Sequence, residues 1–232
     1  MSPAILHQQK RERHLYPGEW LPEPIATEKA DNAVNRKEIL SYSLMVLLEQ
    51  LNAKQRAVFI LKEAFAYDHA EIASVLGVTE EHSRKLLSRA KEQLKSFEAV
   101  TGKPKYDTTY VDKYLAAIQR ADMPQLEKML HDEIMVISDG GGKAVAFLKP
   151  VIGRKPVSKL LLGVFRKFYA DNTVLKKTAI NHEPALCYYQ DGKLVTCQIF
   201  SLQKDGLNHV YFMRNPDKLK ALEKNLSDSV TL

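Results

Sequence analysis

Cysteine is scarce in this chain, which has only Cys187 and Cys197 among its 232 residues. Two cysteines cannot form the framework of a disulfide-rich secreted domain, and neither has metal ligands at a characteristic spacing. We therefore expect a reduced, cytoplasmic protein with no metal site and no cofactor, in which both cysteines are buried free thiols. A redox pair would require that the two residues face each other on neighbouring strands.

Long apolar runs are also absent from the sequence. No stretch approaches the roughly 18–20 consecutive apolar residues that cross a bilayer. The N-terminus has no apolar core typical of a signal peptide. These absences exclude a membrane-spanning protein and agree with a cytoplasmic location.

Positive charge is in moderate excess, with a formal net charge of +6 and an isoelectric point near 9.1. Such an excess fits a polyanionic partner, although many equally basic proteins bind none. The positions of the charges are more informative than their sum. Basic residues cluster at 10–14 and again at 84–91, so the second cluster is a candidate nucleic-acid contact.

Two boundaries divide the chain into a linker region at 1–33, a helical domain at 34–100 and a further domain at 106–232. The first boundary is Trp20–Pro24, where two prolines favour an extended linker. The second contains Gly102 and Pro104. The segment Trp20–Pro24 contains the only tryptophan and is too apolar for a passive spacer, so we expect it to dock. An inert tether is the alternative.

Apolar spacing predicts four helices in the first domain, at about 34–51, 53–66, 69–76 and 80–97. Their boundaries are marked by side chains that cap helices: Asn52, Asp68 and Thr79 precede the second, third and fourth. Val58, Leu61 and Phe65 are expected to form the buried face of the second helix.

The third and fourth predicted helices form a helix-turn-helix pattern. Ala73 is small where the helices would approach each other, and Gly77 permits the tight turn. Val78 is expected to fill the turn, and Thr79 to cap the second helix. A solvated basic helix in a plain bundle is the alternative interpretation.

The fourth helix has the pattern of a DNA-recognition helix, with Ser83, Leu87, Ala90 and Leu94 facing inward. Its N-terminal half is expected to meet base edges and its flanks to meet phosphates. We assign base-edge roles to Glu81, His82 and Lys85, although Glu81 could simply favour the helix N-terminus. The complete predicted DNA-binding set is Thr79, Glu81, His82, Arg84, Lys85, Ser88, Arg89 and Lys91.

The second domain has the pattern of an α+β fold, with helices first and a meandering antiparallel sheet after them. Helices are predicted at 107–121, 124–131 and 155–170, strands at 134–137, 184–190, 193–202 and 207–213, and a last helix from Pro216. Asp191-Gly192 and Asp205-Gly206 are strong hairpin signals. Asp139–Gly142 is predicted to be a turn that joins two strands.

Residues Tyr67–Leu94 resemble region 4 of extracytoplasmic-function sigma factors. The resemblance rests on Glu-Ile-Ala at 71–73, Leu-Gly at 76–77 and Ser-Arg-Ala-Lys at 88–91. The segment Tyr16–Pro24 resembles the linker of the subgroup with a SnoaL-like C-terminal extension. Asp139–Lys143 and Asn215–Leu219 resemble signature segments of that extension.

This resemblance implies a region-4 domain followed by a SnoaL-like, nuclear-transport-factor-2-like α+β cone with a curved antiparallel sheet. It implies reading of the −35 promoter element, RNA polymerase core as a partner, and regulation in cis through contacts between extension, linker and region 4. The implied regulatory contacts are Trp20, Leu21, Pro22, Glu23, Pro24, Asp139, Gly140, Gly141, Gly142, Lys143, Asn215, Pro216, Asp217 and Lys218. Only about 15 residues precede Tyr16, so most of region 2 is expected to be missing, as in a fragment or a truncated relative.

Two other functions remain open at this point. The first is a stand-alone DNA-binding regulator with a domain that senses a small molecule. The second is a SnoaL-like enzyme fused to a helical domain, whose pocket candidates are Asp139, His182, Tyr188, Tyr189 and Tyr211. A phosphate-cradling nest at Asp139–Gly142 is a further alternative, but no Lys-Ser/Thr follows, so the turn is not a P-loop.

Overall fold

A computed structural model describes residues 16, 18–27, 40–94, 108–203 and 206–227. The chain divides into two compact units. The helical unit comprises Asp31–Lys103, and the sheet unit comprises Met1–Ala30 together with Pro104–Leu232. The described linker residues therefore pack with the C-terminal part of the chain. No helix among the described residues is long and apolar enough to cross a membrane.

The helical unit contains α1 (Tyr42–Leu48), α2 (Ala53–Phe59), a π-helical turn (Ile60–Ala64), α3 (His69–Leu76) and α4 (Glu80–Gln93). Residues 34–39 of the first predicted helix lie outside the described residues. The caps at Asn52 and Asp68 are confirmed, and each forms a complete capping box with Gln55 and Glu71, respectively. Thr79 is confirmed as the N-cap of α4. These helices begin where local side-chain chemistry predicts.

The end of the second predicted helix differs from expectation. After Phe59 the backbone widens into the π-helical turn, and Ala66 follows with a φ of 58°. The prediction that Phe65 is buried is wrong, because its side chain is 45% exposed. The wider turn changes the rotation of the chain beyond Ile60, so the helical spacing from Val58 no longer places Phe65 on the inner face.

Two adjoining groups of apolar side chains form the core of the helical unit. The first lies around Leu48, Phe59 and Leu94, and the second around Val58, Ile72 and Leu86. Ser83, Ala90 and Leu94 are buried as predicted, but Leu86 is buried more completely than the predicted Leu87. The inner stripe of α4 is wide enough to include both leucines.

Among the described residues, the sheet unit contains four helices and six strands. They are α5 (Thr108–Gln119), α6 (Met123–Met129), β1 (Leu130–Asp139), β2 (Val151–Ile152), α7 (Arg154–Phe168), β3 (Thr173–Ile180), β4 (Glu183–Gln190), β5 (Lys193–Gln203), β6 (Gly206–Met213) and α8 (Pro216–Ser227). One sheet includes all six strands, in the order β2-β1-β6-β5-β4-β3. The Asp191-Gly192 turn is confirmed, with both residues at positive φ. The second predicted hairpin turn includes Asp205, outside the described residues.

The sheet is mixed, whereas an antiparallel sheet was predicted. β1 runs parallel to β6, and the other neighbouring strands are antiparallel. Hairpin signals identify only strands that follow each other directly, so they do not reveal the pairing of β1 with β6. The edge strands β2 and β3 were not predicted; β2 has two residues, and β3 contains the polar run Lys176–Thr178.

Both faces of the sheet are covered. One face packs against α5, α6 and α7 and buries the main core, which includes Tyr114, Leu126, Val136, Leu161, Phe200 and Phe212. Strand alternation directs Cys197, Tyr211 and Met213 to the other face, where they are also buried. α8 packs against β5 and buries Leu219 and Leu222. The linker lies in the same unit, and its Leu21 is 1% exposed.

Candidate nucleic-acid interface and linker contacts

The helix-turn-helix is built by local backbone chemistry. α3 ends at Gly77, whose φ of 62° is a left-handed conformation that favours glycine. The amide of Val78 donates to the carbonyl of Ala73 at 3.1 Å. The hydroxyl of Thr79 then accepts from the amide of His82 at 3.1 Å and starts α4. The turn predicted from the sequence is therefore confirmed.

A hydrogen bond between α3 and α4 was not predicted. His69 Nδ1 lies 2.9 Å from Ser83 Oγ, and Ser83 is fully buried. Partial burial, followed by the positive charges of Lys62 and Arg84, lowers the pKa of His69. The sequence places His69 directly after the Asp68 cap, but only the folded pairing of the helices brings it to Ser83.

The outer surface of α4 presents the predicted DNA-binding side chains. All are exposed: Thr79, Glu81, His82, Arg84, Lys85, Ser88, Arg89 and Lys91. Arg84 and Lys85 make exposed ion pairs with Glu80 and Glu81, at 2.7 and 2.6 Å. Exposed ion pairs of this kind contribute little to stability. Among the described residues, Arg89 has no acidic side chain within ion-pairing distance.

A second group of predicted residues converges on Asp139, which ends β1 and is fully buried. Its Oδ1 accepts from the Tyr16 hydroxyl and from the Gly141 amide at 2.9 Å. Its Oδ2 accepts from the Leu21 amide at 3.0 Å and from Lys218 Nζ at 2.7 Å. Four donors thus satisfy one buried carboxylate, and two of them come from the linker.

Lys218, on α8, joins this carboxylate to the linker. Its side chain is 8% exposed, and its ammonium also donates to the Leu21 carbonyl. The same nitrogen lies 4.2 Å from the centroid of the Trp20 ring and 5.6 Å from that of Tyr16. These distances allow cation–π attraction in addition to the ion pair.

Asn215 completes the group. Its Nδ2 donates to the Tyr16 hydroxyl at 2.7 Å, and its Oδ1 accepts from the Asp217 amide at 3.1 Å, at the start of α8. Burial and the hydrogen bond to Asp139 raise the pKa of Tyr16 well above its ordinary value. We call these residues the Asp139 cluster: Tyr16, Trp20, Leu21, Asp139, Asn215 and Lys218.

The glycines after Asp139 are required by close packing. A Cβ on Gly140 would lie 2.2 Å from the Ala144 carbonyl oxygen. Gly141 has a φ of 62°, and a Cβ there would lie 2.5 Å from the Asn215 side chain. The chain continues from this turn into β2, which pairs with β1, so the turn joins two strands as predicted. Its glycines also allow Asn215 to approach.

The remaining predicted contact residues lie around this cluster. Pro22 and Pro24 are buried, whereas Glu23, Gly142 and Pro216 are exposed. Lys143 and Asp217 form an exposed ion pair at 2.6 Å, which joins the turn to α8. The structure therefore brings most of the predicted set together. Tyr16 was not among the predicted contacts, although it is the first residue of the linker resemblance.

Three of the pocket candidates for an enzyme have other structural roles. Asp139 is occupied by the linker, and His182 lies in the turn between β3 and β4. The hydroxyl of Tyr188 donates to Gln198, which donates to Tyr114 at 3.1 Å. These polar groups are buried and bonded to one another.

The two cysteines are confirmed as buried free thiols. They lie directly opposite each other on β4 and β5, with the sulfur atoms 3.7 Å apart. The hydrogen bond between the two thiols, together with burial, raises the pKa of Cys197. The described residues contain no group of three His, Cys, Asp or Glu side chains placed to hold a metal ion.

Comparisons with known proteins give the family context. Residues 41–94 match the family model described as Sigma-70, region 4. The chain is 32% identical over 169 residues to the ECF RNA polymerase sigma factor SigJ of Mycobacterium tuberculosis, a match covering 70% of this chain and 54% of SigJ. The chain thus spans about half the length of that curated relative.

Two further similarities extend over more of the chain. The probable ECF RNA polymerase sigma factor SigI of Mycobacterium tuberculosis is 22% identical over 220 residues, covering 94% of this chain and 73% of SigI. The crystal structure of Mycobacterium tuberculosis SigJ superimposes with a TM-score of 0.72 at 27% identity, covering 91% of this chain and 77% of that chain. In sequence the chain is therefore similar to the extracytoplasmic-function sigma factors SigJ and SigI, and in fold to SigJ, with a segment that matches sigma-70 region 4 followed by an α+β domain of the SnoaL-like type.

Proposed function

We propose that this chain directs RNA polymerase core to promoters in the cytoplasm by reading the −35 element through α4. The observation that carries the proposal is the exposed basic face of a capped recognition helix, within the segment that matches sigma region 4. The SnoaL-like domain acts in this proposal as a regulator of the same chain rather than as an enzyme.

The positions on α4 support a division of labour along the helix. Glu81, His82 and Lys85 lie in its N-terminal half, which enters the major groove in helix-turn-helix proteins. They are proposed to read base edges, and Thr79 to hold the start of the helix. The proposed phosphate contacts lie on the flanks and farther along the helix: Arg84, Ser88, Arg89 and Lys91.

The Asp139 cluster supports control of the linker by the SnoaL-like domain. The linker precedes region 4, and it supplies Tyr16, Trp20 and Leu21 to a buried ion pair of the sheet unit. Removing one partner of a buried ion pair leaves an uncompensated charge. A partly formed contact between the linker and Asp139 is therefore costly, so the linker is expected to be either fully bound or fully released. Binding of the linker to the Asp139 cluster and its release are the proposed regulatory step.

The test is a DNA-protection experiment with RNA polymerase core. Because the chain spans 54% of SigJ, the experiment compares this chain alone with the same chain fused behind a region 2 from a relative. We expect the fused chain with core to protect a −35 element, and deletion of residues 107–232 to change promoter output. Absence of protection with core and region 2 would refute the sigma function, and an unchanged output would refute the regulation.

A further inference from the structure

We propose that the turn between β3 and β4 is a second site that holds the linker and fixes where the linker leaves the sheet. We call it the Asn181 site, and it comprises Ile25, Ala26 and Thr27 of the linker with Ala179, Ile180, Asn181 and His182. The inference rests on the proposed regulation in cis. It assigns to Asn181 and Thr27 a positioning role that is separate from the Asp139 cluster.

Asn181 and Ile25 exchange two hydrogen bonds. The Ile25 amide donates to Asn181 Oδ1 at 2.9 Å, and the Asn181 amide donates to the Ile25 carbonyl at 2.8 Å. Asn181 is fully buried even though it lies in a turn. Its amide side chain is therefore positioned to hold the linker backbone rather than to meet solvent.

Thr27 makes the second half of the site. Its amide donates to the Ala179 carbonyl at 2.8 Å, and its hydroxyl accepts from the His182 amide at 2.9 Å. Between these bonds, Ala26 pairs with Ile180 as an antiparallel bridge. The linker thus adds a short strand to the edge of β3, by the mode in which sheets bind extended peptides.

The turn conformation explains why asparagine serves this purpose. Asn181 and His182 have φ values of 48° and 65°, so both are left-handed, as two-residue hairpin turns require. Asparagine tolerates this conformation and also supplies a side-chain acceptor. Replacing Asn181 with glycine would keep the turn but remove the side-chain acceptor. The substitution therefore tests the linker contact separately from the turn.

The two sites hold the linker at both ends of its proline segment. Leu21 belongs to the Asp139 cluster and Ile25 to the Asn181 site, and buried Pro22 and Pro24 lie between them. Proline restricts the backbone, so the short segment between the two sites has little conformational freedom. The position of the linker at one site therefore constrains its position at the other. Beyond Thr27, twelve residues (28–39) lead to Leu40 at the start of the described helical unit. The Asn181 site therefore sets the point from which the chain departs toward region 4.

The experiment uses the full chain with Asn181→Gly and Thr27→Val, each of which removes one acceptor. Thr27→Ser keeps the hydroxyl and is the rescue variant. Asn172→Gly is the matched control, because Asn172 is also left-handed, with a φ of 53°, but is exposed at the other end of β3. Amide exchange followed by mass spectrometry measures the linker peptide. Anisotropy measures binding to a labelled duplex that the unaltered chain selects from randomised DNA.

We expect Asn181→Gly and Thr27→Val to speed exchange at Ile25–Thr27 about fivefold or more, the effect of losing one net hydrogen bond. We also expect both variants to change the apparent DNA dissociation constant at least twofold, in the same direction as Asp139→Asn. Thr27→Ser and Asn172→Gly should match the parent in both measurements.

Three results would overturn the inference. If exchange in the linker stays at the parent rate, these bonds do not hold the linker. If exchange rises while DNA binding changes only in Asp139→Asn, the Asn181 site has no positioning role and the proposed regulation stands. If DNA binding is unchanged in all variants, including Asp139→Asn, the proposed regulation in cis fails together with this inference.

Discussion

Replacing Lys218 with Met tests the energetics of the Asp139 cluster directly. Methionine keeps most of the unbranched stem but removes the ammonium that lies 2.7 Å from Asp139 Oδ2. The replacement leaves a fully buried carboxylate with three remaining donors, from Tyr16, Leu21 and Gly141. Removing one partner of a buried ion pair costs about 3–5 kcal/mol, and the remaining donors favour the lower end. We expect a loss of about 3 kcal/mol in the free energy of unfolding of the sheet unit.

The assay is urea unfolding followed by the emission of Trp20. This residue is the chain's only tryptophan, and its ring lies 4.2 Å from Lys218 Nζ, so its emission reports on the cluster and not on the helical unit. A loss of 3 kcal/mol corresponds to a change of about a hundredfold in the equilibrium constant. That change is well outside the error of linear extrapolation.

A double variant supplies the decisive comparison. Combining Lys218→Met with Asp139→Asn removes both charges, so no unpaired buried charge remains. We expect the double variant to lose less stability than the sum of the single variants, by more than about 1 kcal/mol. Additive losses, or a Lys218→Met transition within about 0.5 kcal/mol of the parent, would refute the view that this ion pair anchors the linker.

Four further predictions concern other residues of the chain. Replacing Arg89 with Ala should weaken binding to all duplexes and reduce the slope of log affinity against log salt by about one unit, because one phosphate contact is lost; replacing Lys85 should instead change the preferred sequence in a selection from randomised DNA. Gly141→Ala should cost about 2 kcal/mol or more in urea unfolding, because the added Cβ would meet Asn215 at a positive φ. Burial lowers the pKa of His209 to about 4, so its contribution to stability is complete above its unfolded pKa near 6.5 and is lost as the pH falls toward 4, a change of up to about 3 kcal/mol.

The predictions for Arg89, Gly141 and His209 each have a control within the chain. Lys54 is exposed on α2, and its replacement with Ala should leave the salt slope unchanged; an equal change in both variants would remove Arg89 from the phosphate contacts. Gly163 lies in α7 with open space around its Cβ position, so Gly163→Ala should stabilise the chain by up to about 1 kcal/mol. His209→Phe should flatten the acid dependence between pH 6.5 and 4, and an unaltered profile would show that other groups cause it.

The helix-turn-helix was readable from the sequence because its determinants are local. Asp68 with Glu71 and Thr79 with the His82 amide act across three residues, and Gly77 acts through its own backbone. The errors in this unit arose where the backbone departed from regular helix. The π-helical turn at Ile60–Ala64 has no composition that distinguishes it from α-helix, so the exposure of Phe65 was missed.

The sheet unit was predictable only in part, because several of its contacts join residues that are far apart in the sequence. Hairpins between consecutive strands carry turn signals, but the parallel pairing of β1 with β6 does not. The resemblance identified the segments that meet at Asp139, yet it gave no bonding pattern. Which donor meets which oxygen depends on contacts such as Asn215 to Tyr16, which are 199 residues apart. The Asn181 site gave no signal beyond a residue type that turns favour.

The distance in sequence between the linker and the residues that bind it has a consequence for synthesis on the ribosome. Asp139 supplies only part of the linker-binding site, which Asn215 and Lys218 complete, and both of these residues follow Asp139 by more than 70 residues. A nascent chain therefore exposes α4, the proposed recognition helix, before it contains all the residues that bind the linker. Any chain cut or stalled before Asn215 would carry the complete helix-turn-helix without Asn215 and Lys218, which bind the linker residues and Asp139. Under the proposed regulation in cis, premature termination before Asn215 would release control rather than merely abolish function.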